Sequence, residues 1–176
     1  MTPPVDNTPL PPSGFTHEQI EALYFNAARE GQTDLLADFL TAGADPNRQN
    51  HEGYTPLILA SYHGHKDCSE LLLKNQADPN VQDAKGSTAL AGVAFKGDID
   101  LARLLLAYGA QINLPNHMGR TPLMFAVMFG RTEMVKFLIK EGADLNLQDG
   151  EKMTALLLAE RQGYPEMVKL LKTATP

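Results

Sequence analysis

The sequence predicts an all-α solenoid: helix-turn-helix units stacked in line and joined by hairpin-like connecting turns. Three observations predict it. Four segments recur at a spacing of 33 residues: Y-T-P-L-I-L-A-S-Y-H-G from Tyr54, S-T-A-L-A-G-V-A-F-K-G from Ser87, R-T-P-L-M-F-A-V-M-F-G from Arg120 and M-T-A-L-L-L-A-E-R-Q-G from Met153. A second signature recurs with them: G-A-D-P-N from Gly43, Q-A-D-P-N from Gln76, G-A-Q-I-N from Gly109 and G-A-D-L-N from Gly142. A glycine also falls midway in every unit, at Gly31, Gly64, Gly97, Gly130 and Gly163. A unit this short cannot bury an apolar face alone, so its neighbours must stack on it.

Each element follows in order. Residues 1–15 read as a proline-rich flexible tail, with Pro3, Pro4, Pro9, Pro11 and Pro12. Proline fixes φ and removes amide donors, so this stretch cannot be helical. No basic residue flanks the prolines, which argues against a proline-recognition ligand. Order begins at Thr16, whose T-x-x-Q pattern with Gln19 is a capping box leading into I-E-A-L-Y-F-N-A-A. Residues 16–176 then read as one domain of five units, at about 21–53, 54–86, 87–119, 120–152 and 153–176. The first unit, E-A-L-Y-F-N-A-A-R-E-G from Glu21, fits the pattern more loosely.

Within a unit, Thr55, Thr88, Thr121 and Thr154 stand where an N-cap hydroxyl is useful. Pro56 and Pro122 follow at a first helical position, which has no amide partner to lose. A short apolar helix runs to the midway glycine. A second helix carries L-L-A-D-F-L, S-E-L-L-L, A-R-L-L-L, V-K-F-L-I or V-K-L-L-K. It closes on Gly43, Gly109 or Gly142, a left-handed residue just past the helix end. Gln76 replaces that glycine once, at a cost of roughly 1 kcal/mol if φ must be positive.

Composition narrows the function. The net charge of -6 argues against a general nucleic-acid binder, which needs a basic face to displace counterions. A single cysteine forms no intrachain disulfide and fits a reducing compartment. The N-terminus lacks the basic and apolar regions of a secretory signal. No apolar run approaches the ~20 residues a membrane helix needs. The expectation is a cytoplasmic monomer with no nucleic-acid or membrane partner. There is no P-loop, no G-x-S-x-G, no H-E-x-x-H and no G-x-G-x-x-G after a strand, so an enzyme is not expected.

The 33-residue period, the T-P-L-x-x-A opening and the G-A-D-x-N close resemble ankyrin repeats, over residues 19–172. Departures are local. The family's usual histidine after T-P-L is replaced by Ile58, Ala91, Met124 and Leu157, and the first unit lacks T-P. Two helix positions read as caps. One runs Asp38, Leu71, Leu104, Phe137, Leu170, polar only in the first unit; the other runs Leu40, Leu73, Leu106, Ile139, Lys172, polar only in the last. Terminal repeats need a polar outer face, so the array is expected to begin and end within this chain.

The stretch S-Y-H-G-H-K-D-C, Ser61 to Cys68, places two histidines, an aspartate and the lone cysteine within eight residues. These are zinc-preferred ligands. The repeat explains most of them. His65 belongs to the G-H pair common in ankyrin units, Asp67 aligns with Asp34 and Asp100 early in the second helix, and Cys68 aligns with Leu35, Leu101 and Met134. No metal or other cofactor is therefore expected. His63 aligns with Glu30, Lys96, Phe129 and Gln162, so the scaffold does not dictate it.

The resemblance implies two sets of recognition positions, the hairpin tips and the exposed end of the first helix. At the tips these include His51, Tyr54, Lys85, His117, Met118 and Arg120; on the helices they include Tyr62, His63, Phe95, Lys96, Met128, Phe129 and Arg161. Tyr62, Phe95, Met128 and Phe129 form a stripe of large apolar side chains on a face expected to be wet, a pattern that marks binding surfaces. Gly92 leaves room for a neighbouring ring to fold inward, the alternative for part of that stripe. The expected function is a module that binds a folded protein partner. Stand-alone bacterial ankyrin proteins suggest two alternatives: a haem-handling accessory of a catalase-type enzyme, using Tyr62, His63 and Met128, or an inhibitor or immunity-type protein for a neighbouring toxin or enzyme.

Overall fold

The structure is a computed structural model and describes residues 14–174. Five helix pairs follow one another: α1 His17–Glu30 with α2 Thr33–Thr41, α3 Pro56–Tyr62 with α4 Lys66–Lys74, α5 Ala89–Lys96 with α6 Ile99–Ala107, α7 Pro122–Met128 with α8 Thr132–Lys140, and α9 Ala155–Gln162 with α10 Pro165–Ala174. The odd-numbered helices pack side by side as an inner layer, and the even-numbered helices pack behind them as an outer layer.

Local chemistry sets each boundary. The hydroxyls of Thr55, Thr88, Thr121 and Thr154 accept from the amides of Ile58, Ala91, Met124 and Leu157 at 3.1–3.4 Å. Each bond satisfies a helix-end donor that has no intrahelical partner. Thr16 and Gln19 close the capping box of α1 reciprocally, at 3.2 and 2.9 Å. The start at His17 makes α1 14 residues long, against 7 for α3. Gln76 holds φ 68°, in the register that Gly43, Gly109 and Gly142 hold at 88–91°.

The core lies between the layers and repeats with the units. Leu72, Leu105, Leu138 and Leu171 are each at most 1% exposed. Each contributes about 1.5–3 kcal/mol of burial. The ends differ from the expectation of polar caps. Asp38 and Lys172 are exposed as expected, and Lys172 pairs with Glu160 at 3.0 Å. Leu35 and Leu157 are also exposed, at 36% and 40%, while Leu101 and Met124 at the same places in inner units are 1% exposed. Within the described residues the end units have no neighbour on that side to cover these side chains.

The connecting turns are stapled to one another. Asn50 Oδ1 accepts from the amides of Glu52 and Tyr54, and Asp83, Asn116 and Asp149 repeat the same pair of bonds. Adjacent tips then bond through the backbone: Ala84 N–H to Glu52 C=O, His117 N–H to Lys85 C=O and Gly150 N–H to Met118 C=O, at 2.8–3.1 Å. Gly53 is required here, because a Cβ on it would lie 2.5 Å from the Ala84 nitrogen. These bonds hold the tips as a rigid edge beside the inner helices.

Candidate functional site

The inner helices end in a ladder of rings. Each helix delivers its last turn to the concave face, so residues 33 apart fall side by side. The Tyr62 and Phe95 rings stack with centroids 6.0 Å apart and an interplanar angle of 18°. Phe95 meets Phe129 edge-on at 4.3 Å. Such pairs add about 0.5–1.5 kcal/mol beyond their area. Lys96 lays its ammonium over the Tyr62 ring, 4.6 Å from the centroid. Tyr62 and Phe129 are exposed, at 38% and 44%, whereas Phe95 and Met128 are half-buried. The stripe is therefore present but unevenly wet, because its middle ring is covered by the rings on either side. Gly92 does make room: a Cβ there would come within 3.2 Å of Tyr62 Cδ2.

Next to the ladder lies an open hollow of about 380 Å³. Tyr54, Ile58, Tyr62, Phe95 and Phe125 supply its apolar walls, and Arg29, His63, Asp83 and Lys85 stand on its polar side. Five residues singled out from the sequence thus come together: Tyr54, Tyr62, His63, Lys85 and Phe95. Ile58 and Phe125 were missed. Phe125 lies one turn before Phe129 on α7 and aligns with Gly92, so the i, i+4 relation was the signal that could have found it.

His63 Nδ1 lies 2.9 Å from the Leu59 carbonyl oxygen. A carbonyl only accepts, so Nδ1 carries a proton, and in the neutral ring the lone pair is on Nε2. His65 is engaged differently. Its Nε2–H donates to the Arg29 carbonyl at 2.9 Å, and its ring covers Gly31, where a Cβ would lie 2.5 Å from Nδ1. Cys68 is 1% exposed and sits 3.3 Å from the Thr33 hydroxyl. Burial pushes its thiol up; the nearby Thr33 hydroxyl opposes this and Asp67 adds to it. The His63 and His65 rings stay stacked, with centroids 6.3 Å apart, while Cys68 is buried against Thr33. Among the described residues, no group of three or more His, Cys, Asp or Glu side chains could hold a metal ion.

The other predicted positions lie apart from the hollow's lining. Met128 and Phe129 continue the stripe on α7 and just beyond it. His51 and His117 are exposed on the tips, with the His117 ring against Gly86, and Met118 is 52% exposed. Arg120 has a side chain only 15% exposed and directs its guanidinium to Asp149 at 3.4 Å and Glu151 at 3.5 Å. Arg161 joins the same group through Glu151 at 3.1 Å. Burial tends to raise the Asp149 carboxyl, but the amides of Met153 and Glu151, with Arg120, outweigh it and hold the group below the usual carboxylate range. This corner is built as an internal ion cluster. Among the described residues, no helix is long and apolar enough to cross a membrane.

Comparison with known proteins agrees with the geometry. A family model described as ankyrin repeats (3 copies) matches residues 24–116 and 91–175. A protein of Pseudomonas aeruginosa named as an ankyrin repeat protein is 39% identical over 65 residues, covering 37% of this chain and 38% of its own length. An ankyrin repeat-containing protein of Schizosaccharomyces pombe is 38% identical over 48 residues, 27% of this chain and 23% of its own. The human espin-like protein is 38% identical over 47 residues, 27% of this chain and 5% of its own. In each case the match spans well under half of the relative's length.

Proposed function

The chain belongs to the ankyrin repeat family, and from that premise we propose that it holds a folded protein partner against its concave face and hairpin tips, without catalysis of its own. Ankyrin repeats are protein–protein interaction modules in general. The observation that carries the reading here is the Tyr62–Phe95–Phe129 ladder, with Phe129 and Tyr62 exposed at its two ends. Aromatic side chains offer large contact area at little cost in rotamer entropy. The stapled tips beside the ladder fix the surface before the partner arrives, which lowers the cost of binding.

The test is capture of a partner from native lysate by the full chain, beside a Phe95→Glu/Phe129→Glu variant and a Phe129→Glu variant, each checked for fold by circular dichroism. Phe129 is the cleaner probe because it is more exposed. A protein retained by wild type and lost by both variants is the expected result. Equal retention by all three chains would remove the ladder from the site. An inhibitor of a neighbouring toxin or enzyme would use the same surface, and loss of the captured partner's activity in the complex identifies that case.

One observation favours a second reading, haem handling. In the neutral ring the Nδ1–H bond leaves the His63 lone pair on Nε2, and the residue borders the hollow, as an axial ligand needs. Haemin titration should then give a sharp Soret band that His63→Ala abolishes. A titration that shows only broad, unsaturable absorbance sinks this reading.

A further inference from the structure

Around the hollow the basic side chains outnumber the acidic ones, the reverse of the balance in the chain. The sequence carries 15 Lys and Arg against 21 Asp and Glu. Yet Arg29 and Lys85 border the hollow, and Lys96 lies over the Tyr62 ring beside it. Among the described residues, no carboxylate lies within 4.0 Å of any of these three cations, although six others are paired elsewhere. The carboxylates nearest in sequence are already engaged. Asp83 is the carboxylate that lines the hollow, and it accepts the amides of Lys85 and Ser87 at 2.8 Å; Glu30, outside the lining, accepts from Gln32 at 2.9 Å. Arg29 donates only to the neutral Asn26, at 3.0 Å. The wall between these cations is mainly aromatic and aliphatic, with Asp83, Ser87 and Thr88 as polar members.

We propose that the hollow takes an extended acidic segment of the partner, one that seats an apolar or aromatic side chain against Tyr62, Ile58 and Phe125 and sets a carboxylate beside it on Arg29 or Lys85. The inference rests on the protein-binding reading and names the chemistry of the partner. Burying the apolar side chain supplies affinity. The unpaired cations supply orientation, on-rate and discrimination against basic segments. An acidic chain that keeps a local basic hollow repels acidic partners everywhere else, which focuses them on this site.

The test uses synthetic peptides with a central Phe or Leu, flanked by Glu, by Ser or by Lys, titrated by fluorescence anisotropy against the full chain. Glu-flanked peptides should bind at least about tenfold more tightly than Lys-flanked ones, and that preference should shrink as salt is raised. Arg29→Glu/Lys85→Glu should reverse the order, and Arg29→Gln/Lys85→Gln should flatten it with less risk to the fold. Equal binding of the three peptide sets overturns the proposal and leaves an apolar docking site. So does a preference that survives both double variants. Failure of every peptide to bind overturns it as well. Loss of a lysate partner from the Phe129→Glu variant would in that case still support the broader protein-binding reading.

Discussion

Leu101 and Leu35 occupy the same place in their units, two repeats apart, and meet opposite fates. Leu101 is 1% exposed, between the second and fourth units; Leu35 is 36% exposed, with no described unit on its outer side. Nothing in the chemistry of the two leucines differs. The comparison shows that burial here belongs to the junction between units and only partly to the unit itself, as expected of a quasi-one-dimensional array.

The largest expected effect separates those two residues. Leu101→Ala should cost about 2–5 kcal/mol, and Leu35→Ala no more than about 1 kcal/mol, read as the shift of the urea unfolding midpoint. Equal losses would break the comparison and make the first unit as tightly coupled as the third. A second contrast concerns the tips. Asp149→Ala should cost about 1–3 kcal/mol, because it removes the acceptor of two partly buried amides and the partner of Arg120. Asn50→Ala, at the more open first tip, should cost less.

Asp149 also gives the contrast a pH signature. Its folded-state pKa lies below the unfolded value of 3.8, so its contribution is present above that value and disappears as pH falls through the folded pKa. Acid unfolding should therefore become shallower in Asp149→Asn and, more weakly, in Arg120→Met. An unchanged acid profile in Asp149→Asn would remove the carboxylate from the account.

Two smaller effects sharpen the picture. Gln76→Gly should stabilise the chain by about 1 kcal/mol by relieving a positive φ, raising Tm; no change would mean that the side chain recovers the strain elsewhere. Gly92→Ala should change stability by no more than about 0.5 kcal/mol, since a better helix former offsets the tight 3.2 Å approach to Tyr62. Its readout is the Tyr62 ring resonance, which should move, and peptide binding, which should weaken.

Much of the scaffold was legible because it is made by residues acting on their own helix. The threonine caps, the midway glycines and the strained Gln76 are each decided within a few positions, so a 33-residue alignment exposes them. The buried fate of Cys68 was legible in the same way. The turn staples of Asn50, Asp83, Asn116 and Asp149 recur at the same period but were passed over, because asparagine and aspartate in a polar turn look like ordinary surface. Arg120 was taken for a recognition residue because its position varies between units. Its partners, Asp149 and Glu151, stand on the next tip, 29 and 31 residues on, and an alignment of units to each other does not reveal contacts from one tip to the next. Phe125 was missed for a related reason: its place is glycine in the unit before, so the column carries no common pattern.

The bonds between units have a consequence for chain length. Asn47 reaches the Gln76 carbonyl and Asn80 reaches that of Gly109, both 29 residues on; Gln49 reaches the Gln82 carbonyl and Gln82 that of Pro115, both 33 residues on. The Asp78 and Gln111 amides return to Asn47 and Asn80 at an offset of 31. Each kind of bond keeps its own offset from one unit to the next. Copying the 33-residue block 54–86, which carries Asn80 and Gln82, in tandem would therefore hand each donor a new acceptor at the old offset. A gene encoding this chain can gain a unit by a single in-frame duplication, and the added surface would arrive with its staples already in register.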